Sequence, residues 1–195
     1  MKVEDADITN GVSLTVKDGT VEESDGVTAN ELFTVGANST MTVENLKITA
    51  GEHFGVELAA EKANLIVDSA SRLGKVKLAK DTFITVNTEF PAHAVKGVTA
   101  TLYPAEFAVG KKVIQMPLAF IESYRHTIRT WFALGDEMDN VDASHWFITT
   151  QGQLAKKVKA VIPAEVNNGS GPLTEVDVAV GTKLNNVNIY NRYTR

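Results

Sequence analysis

Between residues 12 and 86 apolar and polar positions alternate in short runs: "VSLTV" (12–16), "LFTV" (32–35), "MTV" (41–43), "LKIT" (46–49), "FGVEL" (54–58), "NLIV" (64–67), "KVKL" (75–78) and "TFITV" (82–86). A period of two is the pattern of strands that bury one face. The runs are rich in Val, Ile, Leu and Thr, and Gly, Asn, Asp and Ser separate them, which is strand composition with turn punctuation. A helical period is nowhere sustained, and the one helix-friendly stretch, "ELAAEKAN", is too short to stand alone.

The runs repeat a common plan. "LTVKDGTV" (14–21) aligns on "MTVENLKI" (41–48), placing Val16 on Val43, Asp18 on Asn45 and Val21 on Ile48. "LIVDSASRL" (65–73) follows the same plan one residue longer, and "ITVNTEF" (84–90) echoes it. The steps Val16 to Val43, Val43 to Val67 and Val67 to Val86 are 27, 24 and 19 positions. The period is uneven, but the unit persists: a strand, a polar corner, another short strand. No Asn-Gly or Asp-Gly hairpin signal stands at Asn45, so the corner turns the chain onto a new face instead of back on itself. A strand-corner-strand unit at this spacing predicts a β-solenoid, each repeat one coil that completes its core only by stacking on the next. A β-sandwich with regular turn spacing is the alternative.

The expected fold is all-β: a short right-handed parallel β-helix over residues 1–90, followed by a β-rich module with longer loops over 91–172. All five prolines (Pro91, Pro104, Pro117, Pro163 and Pro172) and both tryptophans fall in that module. Within it, "SYRHTIRTWFAL" (123–134) is read as strand on its β-branched and aromatic content, "DEMDNVDAS" (136–144) as an acidic loop, and "HWFITTQGQL" (145–154) as a strand running into a Gln-Gly turn. A C-terminal segment, 173–195, returns to the coil style, with Leu184, Val187 and Ile189 around an Asn-Asn corner.

Composition narrows the function. The 195 residues carry a net charge of −5 with both signs interspersed, so no basic stripe exists to neutralise phosphates and nucleic acid is not an expected partner. The absence of cysteine excludes disulfides, thiolate zinc sites and cysteine nucleophiles. No apolar run approaches the ~18 residues of a membrane span, and "MKVEDADITNG" has no apolar signal-peptide core. The chain is thus expected either to be intracellular or to lack its leader.

"LFTVGANSTMTVENLKITAG" resembles a coil of right-handed parallel β-helix proteins of the pectate-lyase-like type, particularly those of bacterial surfaces, and "GKVKLAKDTFITVN" is similar to their closing coil. The block "GVTATLYPAEFAVGKKVI" with "HWFITTQGQL" is similar to a segment that follows such coils, on Tyr103, Pro104, Phe107, Gly110, Trp146, Ile148, Gly152 and Leu154. The resemblance implies an extracellular or cell-surface location, or a virion or filament. It also implies a polysaccharide-directed alternative, since enzymes of this class set acidic residues or a calcium site on adjacent coils.

Candidate residues follow from that alternative. Asp18, Asn45 and Asp68 occupy one corner of three successive coils, a polar ladder that could hold a cation, although Asp and Asn at corners more often cap their own backbone. In the acidic loop Asp136, Asp139 and Asp142 are the candidate metal ligands, with calcium the ion such oxygens would take; the EF-hand spacing is absent, and a solvated loop is the better reading. Trp131 and Trp146 could stack on a glycan, against the plainer role of core packing. The four histidines sit in no metal or triad motif, and no resident cofactor is expected. The expected function is therefore non-enzymatic: a structural or adhesive solenoid module, self-associating through open ends as a homo-oligomer or within a longer parent assembly. A carbohydrate-active β-helix or a carbohydrate-binding module is the alternative.

Overall fold

The computed structural model of the chain describes residues 2–3, 6–26, 28–87, 98–116, 131–135, 142–162 and 174–179. Strands run in chain order as β1 (Lys2–Val3), β2 (Ala6–Ile8), β3 (Ser13–Glu23), β4 (Glu31–Val35), β5 (Thr40–Thr49), β6 (Phe54–Leu58), β7 (Asn64–Val67) and β8 (Gly74–Leu78). They continue as β9 (Ile84–Val86), β10 (Ala100–Pro104), β11 (Ile114–Gln115), β12 (Phe132–Leu134), β13 (Trp146–Ile148), β14 (Leu154–Ile162) and β15 (Thr174–Ala179). Successive strands alternate between two parallel six-stranded sheets, β1-β3-β5-β7-β9-β11 and β12-β10-β8-β6-β4-β2. Each coil gives one strand to each sheet. The result is a parallel β-solenoid.

The inward positions of the alternating pattern stack in rows. In the first sheet Leu14, Met41, Leu65, Ile84 and Ile114 are register partners in turn, as are Val16, Val43, Val67 and Val86. In the second sheet the rows are Phe33, Val56, Val76, Leu102, Leu134 and Ile8, Val35, Leu58, Leu78, Pro104. Neighbouring strands lie ~4.8 Å apart, so each aliphatic side chain packs on its counterparts above and below. The middle members of these rows are fully buried. The alignment of Val16 on Val43 and Val67 on Val86 is thus the register of the fold.

Two kinds of corner close the coils, and both use left-handed backbone. Asp18 (φ 50°) and Asn45 (φ 49°) bend β3 and β5 onto a third face; Asp and Asn are the residues with side chains that tolerate this region best. The coil of β7 is shorter, and Arg72 alone continues its third face, bridging to Lys47. The opposite corner is a four-residue turn that recurs in every coil: Val12, Ser39, Ala63, Thr82 and Lys111 donate their N–H to Thr9, Gly36, Ala60, Ala79 and Ala108. Its third residue has positive φ each time, in Gly11, Asn38, Lys62, Asp81 and Gly110. Coil-to-coil bonding runs past the strand ends as well, since Gly36, Ala59, Ala79 and Ala105 donate to Ile8, Val35, Leu58 and Leu78.

The change of style at residue 91 is not a change of sheet. β10 and β12 extend the second sheet and β11 extends the first. Of the stretch 123–134 expected as strand, β12 is strand, Trp131 has helical backbone, and 123–130 lie outside the described residues. β13 runs into the turn expected at Gln151 and Gly152, and β14 returns antiparallel to it, with Thr149 Oγ1 accepting from the Gln151 and Gln153 amides. β15 pairs antiparallel with β14, so the described part of the C-terminal segment adds to this hairpin and not to the coil stack. Residues 182–191 lie outside the described residues.

The two ends of the stack differ. At the far end the hairpin docks on the outer edge of the last coil: Gly110 N–H and Leu154 N–H bond Leu154 and Lys111 carbonyls at 2.9 and 2.8 Å, and Val113 and Ile114 N–H both reach Gly152 C=O. A Cβ on Gly152 would lie 2.1 Å from Ile114 O, so the docking requires glycine there. At the near end β1 covers β3 only at Glu22 and Glu23. Among the described residues no strand covers 13–16, and Leu14 and Val16 are half-buried while their stacked partners are closed off.

Two outcomes follow for unfolding by urea. Leu65→Ala should cost about 3 kcal/mol, as for a closed core position, and Leu14→Ala about 1.5 kcal/mol, because part of its side chain stays in contact with water. Equal losses would contradict the difference between the coils. Lys62 holds a left-handed φ of 60° where its stacked neighbour is Asn38; Lys62→Asn should raise stability by about 0.5 kcal/mol.

Candidate functional site

The polar corner is built by register. Because β3, β5 and β7 pair in parallel, Asp18, Asn45 and Asp68 come together on one edge of the stack. Asn45 Nδ2 donates to Asp18 Oδ1 at 3.0 Å, and the Asn45 amide donates to Asp68 Oδ2 at 2.8 Å. Asp68 Oδ1 accepts from the Ser71 amide (2.9 Å) and hydroxyl (2.5 Å). The Ser71 hydroxyl in turn accepts from the Leu46 amide at 3.1 Å. The Arg72 guanidinium caps the Ser69 and Ser71 carbonyls at 3.0 and 2.6 Å. Both Asp68 oxygens are therefore spent on backbone and hydroxyl donors of two coils. The left-handed turn at Asn45 aims its amide out of the sheet ladder, and a carboxylate of the next coil satisfies it. This is a tie between coils, in which each member fixes the register of the next.

Charged pairs repeat the same logic on the outer faces. Lys17 and Glu44 are register partners joined at 2.7 Å, and Glu57 and Lys77 at 2.8 Å. His53 Nδ1 meets Glu23 Oε1 at 2.9 Å, and Lys111 reaches Asp81 and Glu106 at 3.1 and 3.3 Å. Sequence reasoning missed these pairs, although the alignment of Val16 on Val43 already sets Lys17 against Glu44. Among the described residues no three His, Cys, Asp or Glu side chains converge as metal ligands.

A second candidate lies where the hairpin meets the last coil. Phe132, Leu134, Ala143, Ser144, Trp146, Phe147 and Lys157 line an open cleft of about 350 Å³. Trp146 is half-buried and packs edge-to-face on Phe107 at 5.6 Å. Trp131 is 3 % exposed and belongs to the core, so its indole presents no face to a sugar. Asp142 caps the 3-10 turn Ala143–His145 through Oδ1 to the Ser144 amide (2.9 Å), and its Oδ2 meets His145 Nδ1 at 3.2 Å. The Ser144 hydroxyl, then its amide, hold the Asp142 carboxyl below the ordinary aspartate range, with His145 and Lys157 adding to the effect. Asp142 thus acts here as a turn cap. Asp136 and Asp139 lie outside the described residues.

Compared with protein-family models, curated proteins and solved structures, the chain matches none. Among the described residues no helix is long and apolar enough to cross a membrane.

Removing the hub of the corner tests its structural role. Asp68→Ala should lower stability by about 2 kcal/mol, because it strands two amides and a hydroxyl, whereas the exposed Asp18→Ala should cost about 0.5 kcal/mol. Thermal unfolding of both variants would separate them, and a harmless Asp68→Ala would contradict the tie.

Proposed function

We propose that the chain is a non-enzymatic structural or adhesive β-solenoid module, from a bacterial cell-surface, filament or phage-type assembly, that self-associates through an open end. The observation that carries the reading is the first coil. Its edge 13–16 bears no partner among the described residues, and its inward Leu14 and Val16 are half-covered, where their register partners Met41, Val43, Leu65 and Val67 are fully buried. A stacked fold whose end strand keeps an unpaired edge invites pairing by another chain. The outer-face acids and bases bond one another from coil to coil, which suits a rigid rod better than a reaction centre. The likeness of its coils to those of bacterial surface β-helix proteins supports a location outside the cell.

The cleft beside Trp146 favours one second reading, a carbohydrate-binding or carbohydrate-active module. An aromatic wall flanked by Ser144 and Lys157 is a surface on which a sugar ring can stack and hydrogen-bond. Incubation with polygalacturonate and related glycans, with and without calcium, distinguishes the readings. The structural reading expects no turnover. Turnover lost in Asp68→Ala would overturn it, and glycan retention lost in Trp146→Ala would favour the binding module.

A further inference from the structure

The asymmetry of the two ends restricts how copies of this chain can join. Head-to-tail growth would set the open edge of β3 on the outer edge of the last coil in the same sheet, but 152–154 already pair there with 110–114. In this sheet the open edge is left to meet its own kind. Thr40 N–H donates to Val12 C=O at 3.0 Å, so Val12, Leu14 and Val16 direct their backbone groups at β5. The alternate residues, Ser13 and Thr15, turn theirs outward. Residues 12–16, "VSLTV", are self-complementary under a two-fold axis at Leu14. In that register Ser13 and Thr15 of one copy exchange N–H···O=C bonds with Thr15 and Ser13 of the other. Leu14 meets Leu14, and Val12, 52 % exposed in the single chain, meets Val16. A shift by one residue would set apolar against polar positions. The segment holds no charge, so the axis opposes no like charges, and the left-handed bend at Asp18 ends the straight run just beyond it.

We propose that the chain forms a closed two-fold dimer through antiparallel pairing of residues 12–16 of β3 with the same residues of a second copy, and does not polymerise. The proposal rests on the self-associating reading above and specifies its geometry. An isologous contact uses up the open end on both partners, so assembly stops at two.

The chain has no cysteine, so single-cysteine variants report the contact cleanly. Sedimentation across a concentration series should show monomer giving way to dimer, with nothing larger. Leu14→Cys should yield a disulfide-linked dimer under mild oxidation, since residues opposed in a non-hydrogen-bonded antiparallel pair lie within disulfide reach. Val109→Cys, on an exposed residue at the other end, should not cross-link, alone or mixed with Leu14→Cys. Thr15→Pro removes an outward N–H, which an edge strand tolerates, and should leave circular dichroism unchanged while abolishing the dimer. Association that proceeds to filaments, or that persists while Leu14→Cys fails to cross-link, would overturn the two-fold geometry and leave self-association standing. A chain monomeric at every concentration would overturn both.

Discussion

Everything in this molecule depends on the stacking of one coil on the next. A single coil presents a few aliphatic side chains and cannot enclose them; Met41 and Val43 are sealed because Leu14 and Val16 lie on one side and Leu65 and Val67 on the other. Burial therefore rises from the end coil inward, and the stability of each coil is shared with its neighbours. The same constraint selects the corners. A coil returns to its starting level only if the chain reverses tightly at fixed points, and left-handed residues at Gly11, Asn38, Lys62 and Asp81 supply that reversal. The outer surface follows suit, with register-paired Lys17 and Glu44, Glu57 and Lys77, and the Asp68 hub all fastening adjacent levels.

How much of this was legible in the sequence can be judged residue by residue. The coil register was open to reading because burial imposes a period of two and stacking imposes like on like, so Val16, Val43, Val67 and Val86 announce themselves. The corner at Asn45 was visible because Asp and Asn recur there. The turn at Lys62 was not, since a lysine carries no local signal for left-handed backbone; its neighbours impose the conformation. The continuation of the stack through β10, β11 and β12 was hidden by prolines and by long insertions between short strands. Local composition there resembles loop, while pairing is decided by partners far away in the chain.

The candidate chemistry divides in a similar way. Alignment alone brought Asp18, Asn45 and Asp68 together, and the structure joins all three by hydrogen bonds. The saturation of Asp68 could not be read beforehand, because it depends on Ser71 and on which way the Asn45 amide points. Trp131 and Trp146 looked equivalent in the sequence and are not: one completes the core, and the other borders a cleft made by a hairpin whose docking depends on Gly152. An aromatic residue's role here is set by which end of the stack it meets.

The central claim is the register of the stack with its first coil open, and amide hydrogen exchange in dilute protein tests it most directly. Exchange should alternate within β3, slow at Leu14 and Val16, whose amides bond β5, and fast at Ser13 and Thr15, whose amides face away. The matching amides Met41 and Thr42 of β5 should both be slow, being held from both sides. Uniform protection along residues 13–16 in the monomer, or rapid exchange throughout β5, would contradict it.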